Sequence, residues 1–94
     1  MTPEKKVKEQ VKALCKRYGA YYAMPMGTGY GNSGVPDFLI CHKGEFIGVE
    51  TKADITKKPT ALQEKNLAAI RAAGGVALVI HKDNLPSLES YLVN

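Results

Sequence analysis

A chain of 94 residues is enough for one small domain with a single core and leaves little room for a second function. A hydrophobic share of 45% excludes general disorder. No apolar run approaches the roughly 20 residues of a membrane span, and the charged N-terminus lacks a signal-peptide core, so the expected location is the cytoplasm, a host cytoplasm if the gene is viral. The formal charge of +4 suits a polyanionic partner without identifying one.

From Thr2 to Tyr18, Val7, Val11, Leu14 and Tyr18 recur at helical steps with lysines between them, which predicts an amphipathic helix. Thr2 can cap it and Pro3 suits its first position. Glu4 lies one turn before Val7; it either complements the helix dipole or reaches inward to help hold a metal or a water. Cys15 and Cys41 form no Cys-x-x-Cys motif and read as free structural thiols in a helix and a buried strand. Gly19 ends the helix, and Ala20–Met26 has the aromatic content of a strand, with Pro25 at its end or edge. The stretch Gly27-Thr28-Gly29-Tyr30-Gly31-Asn32-Ser33-Gly34 has phosphate-loop spacing, but such a loop needs a helix after it and a strand follows here, so no nucleotide cofactor is expected. Thr28, Tyr30, Asn32 and Ser33 either contact a nucleic-acid strand or belong to a solvated connector.

The next stretch carries the chemistry. Two apolar runs, Phe38–Cys41 and Phe46–Val49, flank Lys43-Gly44, the pattern of a β-hairpin. With Lys43 and Gly44 as the loop, His42 lies opposite Glu45, Cys41 opposite Phe46, Leu39 opposite Gly48 and Asp37 opposite Glu50. Facing side chains have Cβ atoms about 4.5–5.5 Å apart, and like charges there destabilise a sheet unless a proton or a cation offsets them. Strand alternation puts Lys52 on the same face as both acids. Paired carboxylates suit a hard divalent ion such as Mg²⁺, which keeps positions open for water and phosphate oxygens. A neighbouring ammonium would face the same phosphate. Both faces of the hairpin are apolar in the middle, so the sheet should be covered on both sides. His42, beside the turn and remote from the acids, reads as a surface or satisfied histidine.

Ala53–Pro59 is polar and turn-like. Its Lys57 and Lys58 either contact phosphate or are simply solvated, and Asp54 is an extra ligand only if the strand continues in register. Thr60-x-x-Gln63 is a capping-box pattern opening a helix through Ala73. Gln63 either reaches back to the Thr60 amide or, sharing a face with Leu67 and Ile70, points at the sheet near the acids. Val76–Ile80 fits a buried parallel strand, and Asp83-Asn84 caps a last helix with Leu88, Tyr91 and Leu92 inward. The order predicts an α/β sandwich, a mixed sheet of about four strands between helices.

Pro36-Asp37 followed by Glu50-Thr51-Lys52 resembles the PD-(D/E)XK nuclease signature. The fuller Gly34-Val35-Pro36-Asp37-Phe38-Leu39, with Gln63 downstream, is similar to the virus-type replication-repair nuclease (VRR-NUC) branch, over nearly the whole chain. The resemblance implies a restriction-endonuclease-like αβββαβ core. It also implies an Mg²⁺ ion, or Mn²⁺ in its place, on Asp37, Glu50 and the Thr51 carbonyl. Lys52 becomes the catalytic lysine, Gln63 joins the catalytic set and Glu4 is accessory. The implied activity is metal-dependent DNA endonuclease, acting as a homodimer on branched DNA such as four-way (Holliday) junctions. The alternatives are a non-catalytic nucleic-acid-binding module and a flap or single-strand nuclease of the same fold.

Overall fold

The computed structural model describes residues 1–26 and 34–93. The order is α1 (Pro3–Tyr18), β1 (Tyr21–Ala23), β2 (Phe38–His42), β3 (Glu45–Thr51), α2 (Ala61–Ala72), β4 (Val76–Ile80) and α3 (Leu85–Leu92). The strands lie side by side as β1-β2-β3-β4. The first three are antiparallel neighbours, and β4 joins β3 in parallel through α2. No helix among the described residues is long and apolar enough to cross a membrane.

Local sequence explains the element ends. The Thr2 hydroxyl accepts from the Lys5 amide at 3.2 Å, and Pro3 occupies the first turn of α1. At α2 the capping box is complete in both directions, from Gln63 N–H to the Thr60 hydroxyl at 3.2 Å and from Thr60 N–H to Gln63 Oε1 at 2.9 Å. The β2–β3 hairpin pairs His42 with Glu45, Cys41 with Phe46 and Leu39 with Gly48, the register counted from the sequence. Lys43 and Gly44 have φ of 50° and 83°, the positive pair of a two-residue type I′ turn.

The core lies on one face of the sheet. Phe38, Ile40, Ile47 and Val49 meet Val7, Val11 and Cys15 of α1 and Leu88 and Leu92 of α3, all essentially without solvent contact. On the opposite face α2 buries Leu67, and Ile70 lies against Gly48 and Gly75 closely enough that a Cβ at either glycine would meet it at 2.6 or 2.9 Å. A helix about 10–12 Å wide spans roughly two strands spaced about 4.8 Å apart, so α2 covers β3 and β4 and no more. The expectation of full cover on both faces is therefore corrected. Among the described residues the β1–β2 half of that face stays open, with Tyr21 72% exposed and Cys41 exposed rather than buried, and the opening reaches Phe46 at the turn end of β3, 44% exposed.

Three smaller expectations also change. The first strand is three residues, Tyr21–Ala23, paired with Leu39–Cys41 of β2. Tyr91 is 38% exposed rather than inward. Asn84 precedes α3 but makes no side-chain cap; its amide donates to Val79 O at 2.9 Å and accepts from His81 N–H at 2.7 Å. Arg71 donates to Ala77 O at 2.8 Å. Since Ile80 O faces β3 and takes the Lys52 amide, the alternate carbonyls of Ala77 and Val79 point to the free edge. Arg71 and Asn84 thus occupy the edge groups that would otherwise invite another strand.

Gly34 ties the start of the β2 segment to α2. Its φ is +83°, and a Cβ there would lie 2.8 Å from the Leu62 carbonyl carbon and 3.0 Å from the Gln63 nitrogen, whereas a Cβ at Gly44 meets nothing within 4 Å. Gly44→Ala should cost only the left-handed strain of about 1–2 kcal/mol. Gly34→Ala should cost more, because backbone must also move. Urea denaturation of the two variants measures the difference, and equal losses would contradict the close contact.

Candidate active site

The carboxyl end of β3 gathers the predicted residues. Glu50 is 3% exposed and Thr51 fully buried, side by side on alternate faces. Lys52 follows, its N–H bonded to Ile80 O at 2.9 Å. The β2–β3 ladder closes at Phe38–Val49, so Asp37 lies one residue outside it, in the bend that enters β2. Its Oδ2 accepts from the Thr51 amide at 3.0 Å and from the Thr51 hydroxyl at 2.5 Å. The Lys52 ammonium donates to Gln63 Oε1 at 3.0 Å and lies 3.6 Å from Glu50 Oε2. Gln63 Oε1 also receives the Thr60 amide, so the two readings of Gln63 are compatible. One oxygen closes the α2 cap and holds Lys52.

Glu50 is the costly member of this group. Its Oε1 is buried with no hydrogen-bond partner among the described residues. Burial first, then the charge of Asp37, raise its pKa from 4.5 to about 7, against the opposing attraction of Lys52; Glu4 adds a smaller push upward. An orphaned buried carboxylate oxygen beside a second carboxylate fits a divalent cation, which satisfies the lone pair and offsets the repulsion. The donors are hard oxygens, and the described residues hold no cluster of three or more His, Cys, Asp and Glu side chains. Two carboxylates with the Thr51 carbonyl and waters suit Mg²⁺ or Mn²⁺ better than zinc, which takes nitrogen and sulfur ligands.

The other expected residues fall at varying distance. Glu4 is close enough to act on Glu50, and it is also paired with Lys8 at 3.6 Å. Lys57 and Lys58 are exposed and line a depression of about 280 Å³ with Glu64 and His81. Asp54 is engaged in its own turn, accepting from the Thr56 amide at 2.8 Å and from the Thr56 hydroxyl, so it is not a further ligand. His42 is a satisfied histidine, 6% exposed, with Nε2 at 2.9 Å from Leu92 O. Thr28, Tyr30, Asn32 and Ser33 lie outside the described residues. The sequence reading used only the Thr51 carbonyl and missed the hydroxyl. The available signal was a hydroxyl on the apolar face of a strand, where it needs a partner.

A carboxyl whose pKa is raised by folding contributes its full stability below the unfolded value of 4.5 and loses it as the pH climbs through about 7. At about 1.4 kcal/mol per tenfold change in acid constant, ionising Glu50 costs the metal-free fold on the order of 3 kcal/mol. Metal-free protein should therefore melt at lower temperature at pH 8 than at pH 5.5, and Glu50→Gln should reduce that difference and melt higher than the parent at pH 8. Thermal denaturation in chelator checks this; a Glu50→Gln protein less stable than the parent at pH 8 would contradict it.

No family model and no curated protein matches this sequence. Among solved structures, one described as a "VRR_NUC domain" superposes with a TM-score of 0.82 at 23% identity, over 100% of both chains. The chain has the fold of a VRR_NUC domain.

Proposed function

We propose that this chain is an Mg²⁺- or Mn²⁺-dependent endodeoxyribonuclease. The observation that carries the proposal is the buried Glu50 Oε1, without a partner among the described residues, on a carboxylate that feels the charges of both Asp37 and Lys52. A binding module without catalysis has no use for that arrangement, which weakens the fold. The nuclease-type fold of the superposed domain agrees with it.

When bound, the ion supplies Lewis acidity at a phosphodiester oxygen and a water of lowered pKa. Asp37 and Glu50 hold it, with the Thr51 carbonyl as a third oxygen. Lys52, kept in place by Gln63 at 3.0 Å, directs its ammonium to the same phosphate, orients the attacking water and stabilises the charge that develops during displacement. The α1 lysines Lys5, Lys8 and Lys12, which border one depression with Met24, and Lys57 with Lys58 supply contacts to the DNA backbone. Such contacts bind without reading sequence. The favoured substrate is branched DNA, a four-way junction above all. A two-fold pair of chains presents paired sites to a symmetric junction.

A panel of duplex, flap, fork, four-way junction and single strand, with Mg²⁺ and Mn²⁺, tests the proposal. Cleavage should require the ion, vanish in Asp37→Ala and fall at least about 100-fold in Lys52→Ala, the scale of losing one charge-stabilising donor. Metal-independent cleavage, or full activity in Asp37→Ala, would refute it; binding without cleavage of any substrate would favour the non-catalytic module. The double variant Lys57→Ala/Lys58→Ala should weaken binding of every DNA tested alike and lower the log–log salt slope by about two. An unchanged slope would remove those lysines from the interface.

A further inference from the structure

We infer that the Thr51 side chain is a positioning residue for the metal site, its hydroxyl and amide together holding Asp37 Oδ2 so that Asp37 offers Oδ1 alone to the cation. This rests on the reading of the site given above. Asp37 lies outside the β2–β3 ladder, where nothing in the strand pairing orients its side chain. Two donors converge on one of its oxygens, the Thr51 amide at 3.0 Å and the Thr51 hydroxyl at 2.5 Å. Among the described residues both hydrogen bonds to the Asp37 carboxylate fall on Oδ2. Glu50 contrasts with it, since its Oε1 has no donor among the described residues.

Packing does not call for that hydroxyl. Thr51 is fully buried, on the same face as Val49 and Ile47, where a valine of nearly the same shape would fill the space. A buried hydroxyl left without a partner costs about 1–3 kcal/mol, and Asp37 removes that cost while losing its own rotational freedom. The ion then meets a carboxylate already set, and less ordering is left to binding. Groups that orient a metal ligand in this way typically change affinity by about 10–100-fold when removed.

The test is Mn²⁺ binding to metal-free protein, without DNA, by titration calorimetry on the parent, Thr51→Val and Thr51→Ser. Thr51→Ser keeps the donor and should bind within about threefold of the parent, while Thr51→Val, folded by circular dichroism, should bind at least about tenfold more weakly. A folded Thr51→Val that binds as tightly as the parent overturns the inference while leaving the nuclease reading intact. Should Thr51→Val fail to fold, parent crystals soaked in Mn²⁺ decide. Anomalous density on Asp37 Oδ1, with Oδ2 still on Thr51, supports the role, and density on Oδ2 overturns it. A parent protein that binds no Mn²⁺ removes the metal site itself, and this inference with it.

Discussion

The Lys43–Gly44 turn determines where every charged group of the candidate site stands. Its two positive φ angles commit the hairpin to a two-residue loop, and the loop commits β2 and β3 to one register. In a sheet a slip of one residue moves every side chain to the other face. Here it would turn Glu50 toward the core side of the sheet and bring out Ile47, Val49 and Thr51. Five residues from the turn, the register leaves one carboxylate nearly dry at the strand end and a second just beyond the ladder. The chain tolerates this because the rest of the molecule is ordinarily packed, with twelve buried hydrophobic side chains among the described residues.

Helix α2 connects the fold to the chemistry. Its crossover makes β4 the parallel neighbour of β3. Ile70 presses on Gly48 and Gly75, and its first turn lies against Gly34. That same turn carries Gln63, whose single oxygen caps the helix and receives Lys52. The ammonium is therefore held by a group that cannot move without opening the helix end. The precision of the site comes from elements that would pack the same way without it, whereas Glu50 is held buried beside the charge of Asp37 at a cost to the fold.

Much of this could be read from the residues. The apolar runs on either side of Lys43-Gly44 determine the hairpin, and counting outward from the turn brings Asp37 and Glu50 to one end. Thr60-x-x-Gln63 marks the start of α2, and the five apolar residues Val76–Ile80 mark β4. What escaped the sequence depends on neighbours distant along the chain. Asn84 has the composition of a helix cap, yet two backbone groups of the β4 segment claim its side chain first. The face left open among the described residues around Tyr21 and Cys41 follows from the width of one helix, which alternation of apolar residues does not reveal. Thr51 Oγ1 meets Asp37 only because the bend before β2 turns that carboxylate past the end of the ladder.

Burial and the charge of Asp37 hold the Glu50 carboxyl toward its protonated form until the proposed metal ion takes the place of the proton, and its ¹³C resonance reports this directly. In chelator the account predicts a titration midpoint of about 7, falling by more than about one pH unit when Mg²⁺ is added, since a bound cation favours the ionised form. A midpoint near 4.5, or one indifferent to Mg²⁺, would contradict it.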